Sequence, residues 1–325
     1  MQSKKLSVAK PIWVYYAALL FVVAFWGVSS VVYHFFYRFY SAAVLTSIMT
    51  FCSAVFFWII AWKRLKQIDG QFLKIALPIC LLNAFANVLQ RIGLQYTTPA
   101  NYAFTEHLSC IVVPVMIFVF LRKKPKLLRV AAGVCCLVGC FILCGVTLIP
   151  GSTFINIGDV LCLIAGVLLG ICVAAIAAFT QKMDGILFMV LYMTSYFVVS
   201  ALMALGMHHI RVDGSAMEQA VITLDPKLLL LVAVFGLVDI ALCWFLRTEA
   251  IRHIDPVAVA TISPCAAVIT GVISVCIGID SLTPNLIIGG SVIFISVVFS
   301  ELIDAIAERK AAAKEKCNSV ASEQQ

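Results

Sequence analysis

VLCLIAGVLLGICVAAIAAF, Val160 to Phe179, runs for 20 residues without one charged side chain. At 1.5 Å per residue a helix of that length rises about 30 Å, the thickness of the hydrocarbon core of a bilayer. A spanning strand would instead alternate inward and outward residues over about ten positions, and this run does not alternate. It reads as a transmembrane helix. Nine further charge-poor runs flank it: Ile12–Val32, Phe39–Trp62, Ile75–Leu94, Pro99–Leu121 and Val130–Ile149 before it, and Ile186–Met207, Leu228–Leu246, Pro256–Ile279 and Leu286–Ile303 after it. The composition agrees, with 63% hydrophobic and 12% charged residues, against roughly half and a quarter in an ordinary globular domain. The expected fold class is therefore all-α integral membrane, with ten transmembrane helices.

The formal net charge of +7 is distributed as a membrane topology requires and not as a nucleic-acid surface would be. With ten spans both termini share a side. Nineteen of the 23 lysines and arginines then fall on that side, Arg247 and Arg252 counted among them, and only Arg38, Arg91, Arg211 and Lys227 fall on the other. The positive-inside rule puts both termini in the cytoplasm, and the expected location is the plasma (cell) membrane. The first run follows a short basic tail and lacks a small-residue cleavage site, so it is read as a retained helix. The 13 cysteines lie almost all within spans, where they act as small packing residues. In the fifth run Ala132, Cys136, Cys140 and Cys144 recur every four residues, a narrow seam on which another helix can pack closely.

The ten runs divide five and five around PGSTFINIGD, Pro150 to Asp159. An odd number per half forces the halves into opposite orientations, which is the pattern of an inverted repeat with its binding site near the midplane. Pro99 and Pro256 open the fourth and ninth runs, and each is followed by a second proline, Pro114 and Pro264.

Several segments resemble one family. Trp26-Gly27-Val28-Ser29-Ser30 is similar to the tryptophan-glycine-small opening of EamA-like transporters of the drug/metabolite transporter (DMT) superfamily. Gly93 to Phe104, GLQYTTPANYAF, followed by Ile111 to Pro114, resembles the family's passage from third to fourth helix; Asn156-Ile157-Gly158-Asp159 resembles the start of its second repeat, and Asp280 with Gly289-Gly290 its last two helices. The resemblance implies two EamA repeats, residues 12–149 and 150–306, between tails at 1–11 and 307–325. It also implies export or exchange of small polar organic solutes. The basic run Arg122-Lys123-Lys124 stands where the family carries an acidic residue, and Glu106-His107 where relatives carry neutral or small ones.

Ionisable groups inside a bilayer cost about 2.5 to 3.5 kcal/mol each on the insertion scale, so those present face a bundle interior or a water-filled path. Glu106 in the fourth run, beside Tyr102, and Asp239 in the eighth are the candidate coupling or substrate-binding carboxylates. Each has a structural alternative: hydrogen bonding to a neighbouring helix for Glu106, and pairing with a cation such as Arg91 for Asp239. His107 is read as a satisfied core histidine. Asn83, Asn87, Gln90 and Arg91 form a polar stripe on the third helix, able to hydrogen-bond a substrate or a neighbouring helix. Tyr16, Trp26 and Tyr102 are candidate walls of an aromatic pocket, and Trp13, Tyr37, Tyr40 and Trp62 are assigned to the membrane interface.

No GxxxxGK[ST], HExxH or GxSxG segment occurs. The expected function is a secondary transporter and not an enzyme, with no cofactor and no metal. Its expected partners are a small-molecule substrate, the lipid bilayer and protons as candidate coupling ion, without nucleic acid. Two alternatives stand beside it: a nucleotide-sugar-type exchanger of an internal membrane, which would hold phosphate on basic residues such as Arg91, and a non-transporting scaffold.

Overall fold

The computed structural model describes residues 11–96, 107–122, 126–143, 157–207, 211–212, 215–216, 225–278 and 282–299. Among these residues ten apolar helices are present: α1 (Ile12–Phe36), α2 (Ala42–Ala61), α3 (Gly70–Tyr96), α4 (Ser109–Leu121), α5 (Leu127–Leu143), α6 (Ile157–Phe179), α7 (Gly185–Met207), α8 (Pro226–His253), α9 (Pro256–Cys276) and α10 (Pro284–Phe299). Seven of them, α1, α2, α3, α6, α7, α8 and α9, are long and apolar enough to cross a membrane, and α4, α5 and α10 are shorter. The expected runs of those three continue into residues outside the described ones, toward Pro99, Ile149 and Ile303. A 3₁₀ turn at Leu65–Gln67 and a two-residue antiparallel pair, Arg211–Val212 with Ser215–Ala216, complete the structure.

Local chemistry fixes the helix starts. Asp225 and Asp255 each precede a proline at the first helical position, and each turns its side chain onto the backbone, accepting from Lys227 N at 3.0 Å and Val257 N at 2.9 Å. A carboxylate there satisfies an orphan N–H and favours the positive end of the helix dipole. Pro264 divides α9, since a proline ring cannot continue the ladder, and the helix breaks into Pro256–Ile262 and Cys265–Cys276. Pro114, by contrast, is accommodated inside α4.

Helices of the first half bury their faces mainly on helices of the second. The α3 helix packs on α6 and α7, α2 on α7 and α8, α4 on α6, α1 on α8 and α9, and α5 on α4 and α9. Two family-like motifs meet at one of these contacts. A Cβ on Gly93 would stand 2.5 Å from Cys162 Sγ and 3.1 Å from Gly158 O, so the glycine is what allows α3 to lie against α6. Gly27 does the same for α1 on α9, where its carbonyl accepts from Thr270 Oγ1 at 2.9 Å. Overpacking of this kind costs typically 1–3 kcal/mol. Gly93→Ala should therefore lower the midpoint of thermal unfolding, and Cys162→Ala in the same chain should recover part of the loss. A Gly93→Ala protein that melts like the parent would mean that α3 and α6 do not approach this closely.

Of the cysteine seam on α5, Ala132, Cys136 and Cys140 are buried as their spacing suggests, and Cys144 lies outside the described residues. Cys136 and Cys140 are fully buried, and the Cys136 thiol donates to Thr261 O of α9 at 3.8 Å. The interface assignments need one correction. Trp13 and Trp62 are exposed, as anchors are, but Tyr40 is 0% exposed and belongs to the core, because the turn after α1 carries it back against the bundle. Tyr37 is half-buried, with its ring 6.0 Å from that of Tyr33.

Candidate functional site

Asp239 lies in the middle of α8, on a π-helical segment at Leu237–Leu242. A π turn holds one more residue than an α turn, so it rotates the side chains that follow and loosens the local ladder, and such turns cluster at functional sites. The Asp239 side chain is buried, at 2% exposure. The Tyr33 hydroxyl of α1 donates to its Oδ2 at 2.5 Å, and Arg91 of α3 donates from Nη2 to the Tyr33 oxygen at 3.1 Å. The Arg91 guanidinium also stands over the Tyr33 ring, 4.5 Å from its centroid. A guanidinium, a phenol and a carboxylate thus form one chain through three helices. The polar groups meet most of each other's hydrogen-bonding needs in a site from which water is largely excluded. Asp239 Oδ1 keeps no hydrogen-bond partner among the described residues.

A second group of residues continues from this chain. Trp26 donates from its indole N–H to Asp239 O at 3.4 Å, and its ring lies 5.5 Å from that of Trp244, five residues along α8. Arg247 stands against both indoles, at 5.5 Å from Trp26 and 5.2 Å from Trp244. An arginine placed this way holds its position through cation–π attraction. Tyr192 of α7 packs 5.4 Å from Trp244 and 5.8 Å from Tyr196. On α3, Asn87 donates to Asn83 Oδ1 at 2.8 Å and to the Tyr192 oxygen at 3.4 Å. Gln90 is buried and its Nε2 has no partner among the described residues.

The structure therefore brings together Trp26, Asn83, Asn87, Arg91 and Asp239 of the residues chosen from sequence, and buries Gln90 on the same helix as Asn87 and Arg91. Tyr33 stands between Asp239 and Arg91, so the expected alternative of a direct carboxylate–guanidinium pair is replaced by a relay through a phenol. His107 is buried just before α4, and Tyr16 is half-buried against the core. Glu106 and Tyr102 lie outside the described residues. Tyr33, Tyr192, Trp244 and Arg247 were not selected from sequence. A faint signal existed for Tyr33, since Trp26, Ser29 and Tyr33 follow each other at three and four residues along one helical face. Arg247 is a correction: it sits among aromatic rings inside the bundle and not in a loop, because the apolar run predicted to end at Leu246 continues as helix to His253.

Long apolar helices with a buried ionisable cluster between them define a multi-pass α-helical membrane protein. Residues 13–145 match the model of the EamA-like transporter family. That match and the long apolar helices together support a membrane transporter in general terms. A solved crystal structure of another protein shares the fold, with a TM-score of 0.70 at 12% identity over 90% of this chain and 98% of its own. No curated protein sequence matches this chain.

Proposed function

We propose that the protein is a secondary transporter of a small polar organic metabolite, working by export or exchange through alternating access. In this reading ten helices form two inverted five-helix repeats in the plasma membrane, with both termini in the cytoplasm. The observation that carries it is the Arg91–Tyr33–Asp239 chain, which joins α1 and α3 of the first half to the π segment of α8 in the second. A structural ion pair would need no irregular backbone, whereas a group that changes partners during transport benefits from one.

The pattern of helix packing supports the repeat. If α1 to α5 correspond in order to α6 to α10, then α3 on α6 has its counterpart in α8 on α1. In the same way α4 on α6 corresponds to α9 on α1, and α3 on α7 to α8 on α2; α2 on α7 is its own counterpart. A two-fold axis in the membrane plane, passing between α2 and α7, would generate these pairs. Asp239 and Glu106 are then the ionisable groups available for proton coupling.

Arg247 gives the exchanger of anionic, nucleotide-linked solutes a specific footing, because it adds a second guanidinium to Arg91 inside the bundle. The test compares classes directly. Thermal unfolding of the detergent-purified protein is followed against cationic, zwitterionic and anionic metabolites, nucleotide sugars included. A ligand at 100 times its Kd should add about 2.7 kcal/mol. One class should stabilise the parent and fail with Asp239→Asn. If nucleotide-linked compounds alone act, the exchanger replaces the metabolite reading, and if no class acts the scaffold does.

A further inference from the structure

At the end of the bundle where α1 begins, three contacts join the two halves of the chain. Arg64, in the connection from α2 to α3, donates from Nη1 to Asp184 Oδ2 at 3.1 Å, in the connection from α6 to α7. Arg129, in the first turn of α5, pairs with Asp255 Oδ2 in the connection from α8 to α9. The ring of Tyr15 at the start of α1 stacks on His253 at the end of α8, with centroids 4.2 Å apart and planes 7° from parallel. In both ion pairs the first half supplies the base and the second half the acid.

The two aspartates share a division of labour. Asp184 Oδ1 accepts from Ile186 N at 2.8 Å and Leu187 N at 3.2 Å, and so starts α7; Asp255 Oδ1 accepts from Val257 N at 2.9 Å and starts α9. The other oxygen of each is what reaches the opposite half. Each carboxylate is thus held rigidly by its own helix before it pairs, which reduces the side-chain entropy that usually erases the worth of such bridges. The pairs would have to separate for this end of the bundle to open.

We propose that Arg64–Asp184 and Arg129–Asp255 form a two-point latch that holds this end of the bundle closed, so that its release shifts the protein toward the state open at that end. The inference rests on the alternating-access reading but is tested without a substrate. Because asparagine caps a helix about as well as aspartate, Asp184→Asn and Asp255→Asn remove the charge and leave the helix starts in place. The Arg64–Asp184 pair is exposed and half-exposed, while Arg129 is buried against a half-exposed Asp255, so releasing both should change the ratio of closed to open forms by roughly thirtyfold or more.

Hydrogen exchange of the full chain in lipid nanodiscs reads both ends at once. In the double variant, peptides covering residues 62–69, 180–185 and 252–257 should exchange faster, while peptides covering 37–41 and 225–227 at the opposite end should become better protected. Arg64→Gln should give the same pattern as Asp184→Asn, and combining the two should add nothing. Faster exchange confined to the first set would overturn the latch, because it is the behaviour of ordinary surface ion pairs. Additive effects of Arg64→Gln and Asp184→Asn would overturn it as well. Reciprocal change in a protein that binds no compound of the metabolite panel would uphold the latch and leave the substrate reading to fall alone.

Discussion

Asp239→Ala should destabilise the protein by about 2–4 kcal/mol, whereas Asp239→Asn should cost about 1 kcal/mol or less and still remove ligand-dependent stabilisation. The difference follows from what each change leaves behind. Alanine deletes the acceptor of the Tyr33 hydroxyl, and with it the anchor of a phenol that also accepts from Arg91, so two polar groups lose their fixed partners at a buried point. Asparagine keeps the shape and one oxygen acceptor and removes only the charge. Unfolding of the two variants in detergent, with and without the stabilising metabolite, separates the structural role from the functional one. An alanine variant as stable as the parent would show that the chain through α1, α3 and α8 does not hold the bundle together. An asparagine variant that keeps the full ligand response would remove Asp239 from the coupling machinery.

The helices could be read from sequence because a bilayer leaves little choice. Backbone groups in hydrocarbon must be satisfied within the segment, and a continuous run such as Val160–Phe179 has no other way of doing so. The polar hydroxyls inside the spans posed no obstacle, since several are satisfied by their own helix: Thr46 donates to Ala42 O at 2.7 Å, and Ser53 to Met49 O at 2.8 Å. Asp239 was legible for the opposite reason, as a charge that no apolar run tolerates without cause. Its surroundings were not legible. A π turn has no composition of its own, and the sequence around Asp239 reads as ordinary helix. Nothing in the apolar run predicts that Trp244 and Arg247 follow it onto the same group of rings. Tyr33 hid because a tyrosine near a helix end is more often an interface anchor. Arg247 and Arg252 hid because counting charges by loop assigns every cation near a span end to the membrane surface.

Arg252→Met should cost about 2–4 kcal/mol, and Arg252→Lys should recover less than half of that loss. Arg252 lies in the last turn of α8, buried to 8% exposure. Its Nε donates to Thr180 O at 3.1 Å, Nη2 donates to Thr180 O and Met183 O, and Nη1 donates to Glu249 Oε1 at 2.7 Å. Those carbonyls close the C-terminal end of α6 and the turn after it, where an α-helix leaves acceptors without intrahelical partners. One guanidinium therefore caps α6, fixes the turn that carries Asp184 and neutralises Glu249. Methionine fills the volume but leaves the carbonyls and the carboxylate unmet, each at a cost of about 1–3 kcal/mol before relaxation. Lysine restores the charge on a single nitrogen, which cannot reach acceptors spread across a planar fork. The midpoints of thermal unfolding should fall in the order parent, lysine variant, methionine variant. A lysine variant equal to the parent would show that charge alone suffices. A methionine variant equal to the parent would mean that the end of α6 is capped by something other than Arg252.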